Sequence, residues 1–327
     1  MMPTAQRRLL FLLLAVLSAG SILVAAAIGS VTLTWDQWWA ALLEPGSEFG
    51  ELVWRIRLPR AAAAWTVGAL LSLSGCLMQV LLRNPLADPY ILGVSGGASF
   101  AALFGMSVGV AAALQPALAW AGALFSILVV FGLARGEGPW SGTRLLLTGV
   151  VTASGWAALI SLLLTLGPDG SLRGMLFWLI GDLSYARLPA WSLLILLGIF
   201  AVSLGMARSL NVLAMGETTA RLLGEPTRKL LWVVYLLGSV LTATAVSIAG
   251  NIGFVGLIVP HLMRLLVGSD HRVLLPSAAL FGGLFLVLSD TLARTVLAPR
   301  QLPVGVVTAL LGVPLFLLLL NRARVKQ

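Results

Sequence analysis

Read with a hydropathy window of about 19 residues, the chain breaks into about ten apolar stretches, near residues 9–29, 61–82, 91–112, 115–134, 144–166, 190–207, 230–249, 252–267, 274–297 and 304–320. Neither Leu145–Leu166 nor Ala190–Ala207 alternates polar with apolar residues. A membrane-spanning strand would need that two-residue beat over segments of about 10 residues. Continuous apolarity over about 20 residues is instead the length at which a helix crosses a hydrocarbon core. The pattern predicts an all-α, polytopic transmembrane helical bundle with about ten spans, forming one membrane domain over residues 1–327. The first run, Leu9–Ile28 behind Arg7 and Arg8, looks like a signal peptide. It exceeds the usual h-region of about 7–15 residues, so it is read as a retained span.

Composition closes off the soluble alternatives. The chain is 59% hydrophobic and 10% charged, with a mean hydropathy of +1.00, more than a soluble fold of this length can hide. The formal charge of +9 raises nucleic acid as a partner, but the 21 Lys and Arg residues are scattered between apolar runs and no basic domain exists to hold a duplex. Their distribution reports topology instead. With both termini inside, the inner set is Arg7, Arg8, Arg83, Arg135, Arg144, Arg208, Arg221, Arg228, Lys229, Arg264, Arg272, Arg322, Arg324 and Lys326. The outer set, half as large, is Arg55, Arg57, Arg60, Arg173, Arg187, Arg294 and Arg300. This bias places both termini in the cytoplasm. Residues 30–60 and 168–189 then lie outside and 208–229 inside. Trp35, Trp38, Trp39, Trp54, Trp140 and Trp191 fall near span ends, where an indole ring favours the headgroup region. The single cysteine, Cys76, sits in an apolar run and allows no disulfide framework.

Several chemistries are missing. No G-x-x-x-x-G-K-[ST] phosphate loop occurs, nor H-E-x-x-H, nor paired cysteines, so this chain is not expected to hydrolyse ATP or to hold a metal. Its two histidines, His261 and His271, read as interfacial residues. Ser95 with distant His261 is no nucleophile–base constellation, which sets aside an intramembrane enzyme. An autonomous secondary transporter, the rival reading, calls for midplane carboxylates and repeat symmetry. The nearest carboxylate is Asp290, explained by an i,i+4 pair with Arg294, and no internal repeat is evident. The energy source is therefore expected in a partner.

Three segments carry candidate function. In Arg83-Asn84-Pro85-Leu86-Ala87-Asp88-Pro89-Tyr90 two prolines break the helix. Such backbone must line protein or a water-filled path, or else form a plain turn before a packed helix. Gly93 with Gly97, and Gly250, Gly253 and Gly256, would permit close helix approach. From Leu210 to Glu225, Gly216 can break one short helix before another begins at Glu217 and closes at Gly224. Such a pair fits either a docking surface or an amphipathic helix lying on lipid. Outside, Arg57, Arg60 and Arg294 run against the charge bias. They suit either carboxylates on a partner or lipid headgroups.

The chain resembles the FecCD-type permeases of ABC importers for iron-siderophores, haem and cobalamin. The marks are Arg57-Leu58-Pro59-Arg60, Gly75 to Gly97, Gly216-Glu217 with Ala220 and Leu223-Gly224, Gly250 to His261, and Leu302 to Thr308; cobalamin permeases are especially similar in Arg57–Arg60 and Asp270–Pro276. The resemblance implies the ABC importer type II permease fold in a bacterial inner membrane. It implies a second copy of the chain, two ATPase subunits below that hold ATP and Mg, and a periplasmic binding protein above, with no cofactor in this chain. It assigns Leu213, Met215, Gly216, Glu217, Ala220, Arg221, Leu222 and Gly224 to ATPase docking, with Leu213, Met215 and Leu222 as the apolar insert. It assigns Arg57, Arg60 and Arg294 to binding-protein docking, and Asn84, Leu86 and Thr143 to the translocation path and its gate.

Overall fold

The computed structural model describes residues 4–134, 142–184, 186 and 188–324. Arg135, Trp140, Arg187 and Lys326, used above for topology and anchoring, lie outside the described residues. Among these, every regular element is helical: α1 (Thr4–Ala27), α2 (Trp35–Leu43), α3 (Glu48–Glu51), a π-helical turn (Leu52–Arg57), α4 (Leu58–Leu81), α5 (Val94–Ser107), α6 (Gln115–Ala134), α7 (Gly142–Leu166) and α8 (Asp169–Ile180). They continue with α9 (Ala190–Gly205), α10 (Ala207–Ala214), α11 (Glu217–Leu222), α12 (Thr227–Ala249), α13 (Val255–Val267), α14 (His271–Thr295) and α15 (Val304–Arg324). Each apolar stretch coincides with one of these helices. Not each is long enough to cross a bilayer alone. Six pass on length and apolarity, seven if α9 and α10, bent by 65°, count as one; the apolar parts of α5, α13 and α15 are shorter. The expected count of about ten is thus not established, because broken or tilted half-length helices need neighbours to complete a crossing.

The bundle is organised around α4. Its apolar stretch is 89% buried, against 17% for α7 and 28% for α1 and α6. Lipid tails are as apolar as leucine, so close packing rather than hydrophobicity must hold such a centre, and small residues achieve it. A Cβ on Gly75 would sit 1.8 Å from the Gly256 carbonyl oxygen of α13, and one on Gly68 would sit 2.1 Å from that of Gly282 in α14. The other predicted glycine contacts divide. Gly97 meets Gly122 of α6 and Gly250 meets Trp178, whereas Gly253 faces open space.

The segments between spans are more structured than their polarity suggested. Residues 30–60 contain α2, whose first turn carries a reciprocal Thr34–Gln37 capping box. Ala26, Ala41 and Val53 form a small separate core there. Trp35, Trp39 and Leu43 remain exposed.

Candidate docking surface, gate and outer ion cluster

On one face, α10 and α11 project from the bundle. The chain turns by 65° after α9, and Gly216, at φ 118, separates α10 from α11 in backbone that favours glycine. α10 is anchored from beneath, with Ala207, Leu210 and Leu213 all buried. Leu213 therefore packs inward, unlike the exposed insert position expected for it. Met215, Leu222 and Leu223 are 69%, 84% and 63% exposed, so Leu223 takes the outward role. Ala220 is buried beneath them, and Gly224, at φ +82, ends α11. Glu217 bonds Arg221 one turn on and lies 4.0 Å from Arg83 at the end of α4. Ser209 of α10 donates to Glu225 at 3.1 Å, closing α10 and α11 into one unit.

Beside that unit runs the helix break. α4 ends as Arg83 adopts φ 49. The Asn84 side chain accepts the Leu86 N–H at 2.9 Å, which makes the turn. Asp88 then accepts the Tyr90 N–H at 2.8 Å, and burial pushes its carboxyl up to about 6 against the pull of that bond. The Tyr90 hydroxyl donates to the Ile252 carbonyl at 3.1 Å and accepts the Ile252 N–H at 3.2 Å. Ser126 donates to the Gly93 carbonyl at 2.8 Å while accepting from the Trp156 indole at 2.9 Å. Much of the broken backbone is thus met by protein groups. Asn84 is exposed and Leu86 half-buried, while Thr143 stands exposed in the first turn of α7 with no bond to either. A cleft of about 480 Å³ opens between this loop, α10, α13 and α14, lined by Gln79, Arg83, Asn211, Arg264, Asp270 and His271 among others. His271 is 1% exposed, packed at the start of α14.

At the opposite face the three arginines are interior residues. Arg57, Arg60 and Arg294 are 3%, 7% and 5% exposed. Arg57 caps the open end of α1, donating to Ala26 and Ala27 carbonyls at 3.1 and 2.8 Å and to Val31. Arg60 forks onto Asp290, with Nη2–Oδ1 at 2.8 Å and Nε–Oδ2 at 3.0 Å, and reaches Gln301 at 2.9 Å. Arg294 lies 3.3 Å from the same carboxylate and donates to Ala25 of α1 at 2.9 Å. The i,i+4 pair read from sequence is present, but the closer partner of Asp290 is Arg60, 230 positions away. Two buried cations, Arg60 and Arg294, share one carboxylate, while Arg57 is held by backbone carbonyls alone. Among the described residues, no group of three or more His, Cys, Asp or Glu could hold a metal ion.

A multi-pass helical bundle with a projecting helix pair on one face and a broken helix beside it is the architecture of a transporter's membrane subunit. The sequence model of the FecCD transport family matches residues 12–322, and the chain belongs to that family. It is 44% identical over 283 residues to the cobalamin import system permease BtuC of Halobacterium salinarum, covering 84% of this chain and 74% of that one. It is 38% identical over 340 residues to the hemin transport system permease HmuU of Yersinia pestis, covering 98% and 97%. Its fold matches an ABC transporter assigned to the metal-chelate type in an inward-facing conformation, with a TM-score of 0.83 and 30% identity over 96% of this chain and 99% of that one. The protein is the membrane-spanning permease subunit of an ABC importer.

Proposed function

We propose that the chain carries a bulky metal chelate, cobalamin, haem or a ferric siderophore, from periplasm to cytoplasm across a bacterial inner membrane. Two copies enclose the path, and two separate ATPase subunits bind ATP and Mg beneath them. The observation that carries this reading is the α10–α11 pair. It presents bare Met215, Leu222 and Leu223 beside Glu217 and Arg221, on a chain with no phosphate loop of its own. An apolar knob ringed by charge is what a partner groove recognises, with the apolar centre giving affinity and the rim giving register. Gly216 and Gly224 supply the turns that set it, and Ala220 and Leu213 form the floor that keeps it rigid.

ATP binding draws the docked helices together. Glu217 faces Arg83, so the movement reaches the α4–α5 loop, where Asn84 and Leu86 form the gate. α7, which carries Thr143 in its first turn and is the least buried spanning helix, offers small and hydroxylated residues such as Ser154, Gly155 and Ser161 to the path or to the second copy. A weakly charged lining suits a large chelate that must also leave.

On the outer face, the excess positive charge of Arg57, Arg60 and Arg294 steers a binding protein bearing carboxylates. Steering acts through space and does not need exposed side chains. Direct contact requires Arg60 and Arg294 to exchange Asp290 for a partner's carboxylate. The test is to purify the chain with its ATPase and binding protein in nanodiscs and measure ATP hydrolysis against cobalamin, haem and a ferric siderophore panel. Selective stimulation by one chelate is expected; stimulation by none overturns the assignment of cargo class.

A further inference from the structure

One side chain on the docking helix is committed to a distant helix rather than to the surface. Asn211, in α10, donates through Nδ2 to Asp270 Oδ1 at 2.8 Å, and its Oδ1 accepts the His271 backbone N–H at 2.9 Å. A carboxylate only accepts and a backbone N–H only donates, so the amide orientation is determined by its neighbours. The His271 ring Nδ1 lies 2.6 Å from the same Oδ1 and must therefore carry its hydrogen. One amide thus makes three bonds to residues 59 and 60 positions away.

Those residues are the start of α14. Asp270 is its N-cap, accepting the Arg272 N–H at 3.1 Å, and the Asn211 hydrogen bond is the largest influence holding the Asp270 carboxyl below its usual range. The first N–H groups of a helix have no partner within it, and here one is met by a side chain of another helix. Asparagine is a poor residue in a helix interior, so its place in an eight-residue helix calls for such a compensating role. α14 then continues for 25 residues, about 37 Å, with Pro276 removing one backbone hydrogen bond near its start. Its far end holds Asp290 and Arg294, bonded to Arg60 of α4 and to Ala25 of α1.

We propose that Asn211 is a positioning residue that latches docking helix α10 to α14, so that displacement of α10 by the ATPase is delivered along α14 to the outer ion cluster. This rests on the importer reading above. Without the latch, α10 can move with its partner while α14 lags, and hydrolysis proceeds without import.

The experiment uses the full complex with ATPase and binding protein in proteoliposomes, loaded with the chelate that stimulates the wild type, and compares Asn211→Ala, Asn211→Asp and the swap Asn211→Asp with Asp270→Asn. The readout is cargo imported per ATP hydrolysed. The single variants are expected to lower that ratio about tenfold or more with the ATPase still bound, and the swap, which restores one carboxylate facing one amide, to recover most of it. Single variants importing at the wild-type ratio, or a swap that assembles yet stays uncoupled, overturn the latch. If the single variants do not assemble, the swap decides: assembly with wild-type coupling supports the latch, and failure to assemble overturns it. A wild-type complex that shows no ATP-driven import defeats the importer reading instead.

Discussion

Replacing Asp290 by asparagine keeps the side chain's shape and removes the one negative charge that two buried arginines share. The carboxylate is 1% exposed, and the Arg60 and Arg294 side chains are 8% and 5% exposed, so water cannot replace it. Arg60 addresses both oxygens, at 2.8 and 3.0 Å, and Arg294 approaches at 3.3 Å. An asparagine leaves one accepting oxygen and turns an NH2 group towards guanidinium N–H donors. Hydrogen bonds to charged groups contribute about 1.5–3 kcal/mol each, and breaking a buried pair by removing one partner costs about 3–5 kcal/mol. We expect Asp290→Asn to destabilise the bundle by about 3–5 kcal/mol in reversible unfolding from mixed micelles. Arg60→Met alone should also destabilise, and the double variant should cost at least about 1 kcal/mol less than the two single costs combined, because each single change leaves an unpaired charge. If Asp290→Asn unfolds within about 0.5 kcal/mol of the wild type, the cluster does not bind α1, α4 and α14 together as described.

Other perturbations test other parts. Leu222→Asp should weaken ATPase association by about tenfold or more, measured by co-purification and titration, with no change in thermal stability, since the side chain is 84% exposed; unaltered association removes α11 from the docking surface. The Asp88 carboxyl titrates near 6 when folded, above the ordinary value of about 3.9. A raised acid pKa means the native state loses stability as pH rises from about 4 to about 6 and has lost it fully above that. Asp88→Asn, which keeps the acceptor for Tyr90, should therefore stabilise by about 3 kcal/mol at pH 7.5, with the gap closing towards pH 4. A gap that does not vary with pH contradicts the burial argument. Gly75→Leu places a Cβ 1.8 Å from the Gly256 oxygen and should cost about 1–3 kcal/mol or more by forcing α4 from α13. Gly253→Ala, in open space, should change stability by less than about 0.5 kcal/mol; equal effects would refute the close approach.

Helix positions were legible because lipid imposes a simple rule, that every spanning segment must be apolar and satisfy its own backbone. The break at Gly216 was legible for a related reason, since a glycine between two short amphipathic stretches leaves few other backbone solutions. The facing of individual residues was not. Leu213 and Leu222 look alike in sequence, yet one lies under an eight-residue helix and the other stands on its neighbour, a choice made by how α10 packs against the bundle. The arginines were harder still. Charge bias reports which side of a membrane a residue occupies and says nothing of a carboxylate 230 positions away. Asn211 gave no signal at all: in sequence Asp270 stands out only as part of a family mark and His271 only as an interfacial histidine, and only the folded chain brings them together.

The most direct test of the account is uptake into proteoliposomes containing the chain, its ATPase and the cognate binding protein, with ATP supplied on the ATPase side and the chelate with its binding protein on the other. The account predicts accumulation that needs ATP hydrolysis and the binding protein and is indifferent to a proton or sodium gradient. Accumulation driven by such a gradient, with the ATPase absent, would contradict it and would make the chain an autonomous transporter.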